Sequence, residues 1–178
     1  MIKIFFLFLS FFCLNLSAMI IDNLNDVRAK WSAISDQVMG GISEVNFYEI
    51  EENGEKFYRL EGDVSTENNG GFIQFRTKIE NHPADKSYEG VRMRIRGNNQ
   101  EYAVHIRTKY LMLPWQYYQS VFQASDQWTT VEIPFESFKK SNFYQPSSVV
   151  SQDIKTIGIV AIGREFRAQI DLASIELY

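Results

Sequence analysis

The side chains best suited to chemistry in this chain are five arginines, one aromatic-rich stretch and two glycine-rich turns. Arg92, Arg94 and Arg96 alternate with Val91, Met93 and Ile95 in Gly90-Val-Arg-Met-Arg-Ile-Arg-Gly97. In an extended strand the three guanidinium groups therefore share one face. Arg76 and Arg107 lie in strand-like runs of their own and could widen that row on neighbouring strands. Stacked arginines need partners, because a buried unpaired charge is costly. Two arrangements satisfy them. One is a solvated face paired with Glu and Asp, of modest energetic value. The other is a concave face whose guanidinium forks recognise carboxylates or sugar hydroxyls. Residues 110–118 hold Trp115, Tyr117 and Tyr118 beside Leu111, Met112 and Leu113. With Trp115 and Tyr118 as candidate binding residues, such a loop can stack on sugar rings or anchor a protein partner. It can equally fold back over the core.

The turns come from Trp31-Ser-Ala-Ile-Ser-Asp-Gln-Val-Met-Gly-Gly-Ile-Ser43 and Glu67-Asn-Asn-Gly-Gly-Phe72. Gly40-Gly41 and Gly70-Gly71 permit positive φ and close backbone approach, so both stretches read as shaped turns. Asp36 and Ser43 are suited to hydrogen-bonding turn backbone. Asp36, Met39, Asn68 and Asn69 are the candidate binding residues of the turns. Trp31 and the four glycines are read as structural, with Trp31 buried.

Other chemistries find little footing. His82 and His105 are the only histidines, with no nucleophile elbow beside either. His105 alternates with core positions and reads as a hydrogen-bonded structural residue. The sole cysteine, Cys13, lies near the N-terminus, so thiol chemistry, a disulfide and a zinc site all lack ligands. Asp22, Asn23, Asn25 and Asp26 offer oxygens, but their spacing does not fit a calcium loop; a solvated turn, or a capped helical turn over residues 27–31, fits better. Gly70-Gly71 opens a strand rather than a helix, so there is no phosphate loop. No cofactor and no metal are expected. The formal net charge of −4 argues against nucleic acid, which calls for a basic stripe.

These residues need strands to position them. Period-2 runs cover residues 42–50, 56–64, 72–79, 90–97, 102–108, 117–122, 128–135, 157–162 and 168–177. Asn53-Gly54 marks a two-residue hairpin turn. About nine short strands with regular turn signals, and no long helical period, read as one antiparallel sandwich or jelly roll over residues 19–178. Pro134 suits an edge or strand end. Residues 136–153 form the longest irregular stretch, with Phe138, Phe143, Tyr144 and Pro146 among polar neighbours. Ahead of the domain, Lys3, the apolar run 4–14 and Ser17-Ala18 read as a signal peptide over residues 1–18. An exported protein, periplasmic or extracellular, is therefore expected, with a cleaved signal peptide favoured over an uncleaved membrane anchor.

The paired turns carry a family resemblance. Trp31, then Asp36-Gln-Val-Met-Gly-Gly-Ile-Ser43, then Asn68-Asn-Gly-Gly-Phe72 resemble the complex I intermediate-associated protein 30 family. Gly90 to Gly97, Tyr102-Ala-Val-His-Ile-Arg107, Tyr117-Tyr-Gln-Ser-Val-Phe122 and Trp128-Thr-Thr-Val-Glu-Ile-Pro-Phe135 continue it. The resemblance implies a galactose-binding-like jelly roll, a non-catalytic role and, for eukaryotic members, help in assembling respiratory complex I. An exported location sits badly with assembly of the matrix or cytoplasmic arm of that complex. The expected partner is thus a protein, such as a membrane-associated respiratory or envelope complex. The alternative is an exported carbohydrate-binding module with a glycan as ligand.

Overall fold

The computed structural model describes residues 18–80, 82–83 and 85–178. The expected signal segment lies outside the described residues, apart from Ala18. Among the described residues, twelve strands build two antiparallel sheets. The first sheet runs β3 (Asn46–Glu52), β4 (Glu55–Val64), β12 (Phe166–Leu177), β6 (Gly90–Gly97) and β9 (Thr129–Pro134), with β1 (Met19–Asp22) also on β12. The second runs β10 (Lys139–Lys140), β8 (Tyr118–Ala124), β7 (Gln100–Thr108), β11 (Ile154–Ile162), β5 (Phe72–Lys78) and β2 (Ser32–Ser35).

Alternation decides which side chains meet. Leu60, Val91, Met93, Ile95, Ile170 and Leu172 of the first sheet join Ile73, Phe75, Val104, Ile106, Ile157 and Ile159 of the second in one buried cluster. Burying an aliphatic side chain of this size contributes about 1.5–3 kcal/mol. Pro134 ends β9, an edge strand, where a missing N–H costs no ladder bond. At the β3–β4 hairpin, Asn53 and Gly54 both adopt positive φ (54° and 80°), the geometry a two-residue turn requires.

All nine expected strands form, with ends shifted by a few residues. β1, β2 and β10 were not anticipated, because two to four residues are too few to display a period. The first hairpin strand starts at Asn46 rather than residue 42. Residues 42–45 belong to the turn instead: Ser43 is tied to Asp36, and the Glu44 N–H donates to the Asp63 carbonyl at 3.0 Å. Residues 27–31 form no helical turn; residues 23–27 make a largely exposed turn closed by the Asn23 N–H on the Val27 carbonyl at 2.9 Å, but Asp22 is not part of its solvated surface. Asp22 is buried, and its carboxylate accepts from the Leu24 and Ala29 N–H groups, Trp31 Nε1 and the Tyr58 hydroxyl. That carboxylate holds the Trp31 ring 5.0 Å from Phe75 and 6.0 Å from Tyr58. Trp31 is partly buried against the core.

Candidate binding surfaces

Asp36 opens a short 3-10 turn, Asp36–Met39, capped by the Ser35 side chain. Its carboxylate is fully enclosed. It accepts from the Ser43 N–H (2.9 Å), the Ser43 hydroxyl, the Gly71 N–H and the Phe72 N–H (3.3 Å). One carboxylate thus closes both glycine turns onto each other. A β-carbon on Gly41 or on Gly70 would overlap it, while Gly40 (φ +91°) and Gly71 (φ +129°) supply left-handed backbone. Burial pushes the Asp36 carboxyl up, but the hydroxyl and three backbone donors more than offset this and leave it below its ordinary value. Asn68 and Asn69 complete the second turn with φ of 56° and 57°. Met39 is exposed beside Val38 and Ile42.

The five arginines divide between the sheets. On the first sheet, register places a carboxylate opposite Arg92 and Arg96, while Arg94 faces Ser174 and Thr130. Arg92 lies across from Glu132 and Glu176, and Asp171 lies between Arg96 and Arg59. Arg92 pairs with Glu132 at 2.7 Å, Arg94 with Glu55 at 2.8 Å, and Arg96 with Asp171 at 2.8 Å and Glu52 at 3.0 Å. Trp128 lies beneath Arg94 and Arg96, with guanidinium carbons 5.1 and 4.8 Å from the ring centre. This face is a neutralised lattice of paired charges. Arg76 and Arg107 are not its neighbours, because β5 and β7 belong to the second sheet.

The outer face of the second sheet is different. One cross-strand row reads Gln119, His105, Gly158, Arg76, Ser32, and the next places Arg107, Thr156 and Lys78 together. His105 Nε2 bonds Gln119 Oε1 at 2.9 Å, and its ring stacks on Tyr117 with centroids 3.9 Å apart. Burial lowers the His105 pKa to about 4, although the Gln119 hydrogen bond acts the other way. Gly158 leaves the centre of the row without a side chain. Arg107 donates to the Leu113 carbonyl at 2.9 Å, which holds the aromatic loop against the end of the sheet.

That loop projects Met112 (89% exposed) and Trp115 (61%) outward. A second loop, residues 142–146, projects Phe143 (83%) and Tyr144 (88%). Ser141 ties the two loops together, accepting from the Tyr117 N–H at 3.0 Å and donating to the Trp115 carbonyl at 3.2 Å. The buried Gln145 donates to the Tyr117 carbonyl at 2.9 Å. Tyr118 does not join this surface. It is fully buried, with its hydroxyl donating to the Pro146 carbonyl at 3.0 Å. The outward ring is its neighbour Tyr117. Phe143 and Tyr144 were not singled out as binding residues from sequence, where two adjacent aromatics in a polar, aperiodic stretch were the available signal; Tyr117 was read only as a member of the aromatic stretch.

Three comparisons with known proteins bear on the family and the fold. The family model described as Complex I intermediate-associated protein 30 (CIA30) matches residues 22–172. A search of curated proteins returned no match. Among solved structures, the chain is similar to a family 11 carbohydrate-binding module from Clostridium thermocellum in complex with a β-1,3-1,4-mixed-linked tetrasaccharide. The TM-score is 0.71 at 16% identity, covering 90% of this chain and 94% of that one. A family 30 carbohydrate-binding module aligns with TM-score 0.57 at 15% identity, over 91% of this chain and 87% of that one. At such identities the likeness is one of fold, an antiparallel galactose-binding-like β-sandwich.

Proposed function

The chain belongs to the Complex I intermediate-associated protein 30 family, and from that premise we propose a non-catalytic docking protein, exported from the cytoplasm, that serves assembly of a membrane-associated respiratory or envelope complex. The observation that carries this reading is the pair of cross-tied loops bearing Met112, Leu113, Trp115, Phe143 and Tyr144 in the open. Large apolar side chains grouped on a surface mark interaction sites. Trp and Tyr in particular anchor protein interfaces. The polar ties beneath them fix the loop backbones in advance, which reduces the entropy lost on docking. The apolar run ahead of the domain supports export. Crosslinking in intact envelopes, followed by recovery of the tagged protein, tests the reading. Co-recovery of a membrane complex is expected; recovery of none would sink it.

A second reading is an exported saccharide-binding module. It is favoured by the outer face of the second sheet, where Tyr117 stacks on His105 and one cross-strand row carries Gln119, His105 and Arg76. Similar folds appear in modules described as carbohydrate-binding, one of them with a bound tetrasaccharide. Retention on an immobilised β-glucan that is lost in Tyr117→Ala would select this reading over protein docking.

A further inference from the structure

A cleft of about 900 Å³ opens where β1 and residues 27–32 meet the ends of β5, β7 and β11. That volume lies within the usual range of small-molecule sites, about 300–1,000 Å³. Its walls carry Arg28, Lys30, Arg76, Lys78, Arg107 and Lys155, against one acid, Glu80. The concentration of positive charge is pronounced for a chain of net charge −4. Among the described residues, only Arg28 of the six has a carboxylate partner, Glu49.

Strand register explains why. On the first sheet Arg92 and Arg96 meet Glu or Asp across the ladder, and Arg94, opposite Ser174 and Thr130, pairs with Glu55 instead. On the second, Arg76 faces Gly158 and Ser32, and Arg107 faces Thr156, so no acid stands opposite either. Burial first, and then the neighbouring charge of Arg76, pulls the Arg107 guanidinium below its ordinary pKa. Arg107 makes its hydrogen bonds to the Leu111 and Leu113 carbonyls, which orient it without cancelling its charge. Two guanidinium groups that repel one another inside a cationic cleft would be relieved by an oxyanion, which accepts bidentate hydrogen bonds from each fork.

We propose that this cleft binds a small molecule bearing two or more carboxylate or phosphate groups, seated between Arg76 and Arg107 with Lys30, Lys78 and Lys155 around it. The proposal does not require either reading above, although Arg107 also ties the aromatic loop and Arg76 also borders the saccharide surface. Calorimetry on the full chain tests it, with citrate as the carboxylate probe and tripolyphosphate as the phosphate probe. Saturable 1:1 binding of at least one probe is expected, weakening as salt rises. The tighter probe identifies the anion chemistry. Arg76→Gln and, separately, the exposed Lys78→Gln should each weaken binding at least tenfold. Arg94→Gln, which alters a paired arginine on the other sheet, should leave it unchanged. The proposal is overturned by the absence of saturable binding for both probes. It is equally overturned by affinities unaltered in Arg76→Gln and Lys78→Gln, or lowered as much by Arg94→Gln.

Discussion

Because the Asp36 carboxylate packs against Gly41 and Gly70, and accepts from Ser43, Gly71 and Phe72, removing it leaves several buried donors without an acceptor. Each orphaned donor costs about 1–3 kcal/mol, so Asp36→Ala should destabilise the protein by roughly 3 kcal/mol or more. Asp36→Asn should do little better, since its amide hydrogens would oppose N–H groups. Urea unfolding measures both. The lowered Asp36 pKa gives its contribution a pH window. It is complete above the ordinary Asp value of about 4 and is lost as pH falls through the folded value. His105 acts in a separate window. Its folded pKa of about 4 lies below the ordinary value. The unfolded chain therefore binds the extra proton first, and stability should fall as pH drops from about 6.5 towards 4. His105→Gln should flatten that slope in urea titrations at pH 7 and 5. An unchanged slope would assign it to another group.

Elements decide which of these side chains can work together. The alternation in Gly90 to Gly97 was legible, and β6 forms over those residues. The pairing was not. Nothing local to Arg92, Arg94 or Arg96 shows that β12 and β9 flank them with Glu176, Asp171 and Glu132, or that β5 and β7 lie in the other sheet. The turn motif was legible in its glycines and in Asp36. Its reach across to Gly71 depends on β2 lying beside β5, and a four-residue strand carries no periodic signal. The aromatic loop shows how fine the margin is, since adjacent residues entering a strand face opposite ways. Tyr118 lines the core, while Tyr117 stacks on His105. Tyr118→Ala should accordingly cost about 3–5 kcal/mol, as large-to-small core changes do. Trp115→Ala, at an exposed position, should stay within about 0.5 kcal/mol of the parent. Equal losses in denaturant midpoint would mean that Trp115 also covers the core.

At the scale of the whole molecule, the two sheets are chemically unlike. The first closes its outer face with ion pairs laid over Trp128 and Phe57. The second leaves its outer face open: stacked rings at one side, cations without carboxylates at another, and exposed aromatics on two tied loops at the end. A fold shared with carbohydrate-binding modules does not by itself dictate the ligand. Family membership and the exposed loops favour a protein partner. The sharpest test of that claim is quantitative crosslinking in intact envelopes, comparing the parent chain with the Trp115→Ala/Phe143→Ala double variant at matched expression. Co-recovery of a membrane complex with the parent, and its loss by tenfold or more in a double variant that unfolds at the parent's urea midpoint, is the predicted result. Undiminished recovery with the double variant would contradict it.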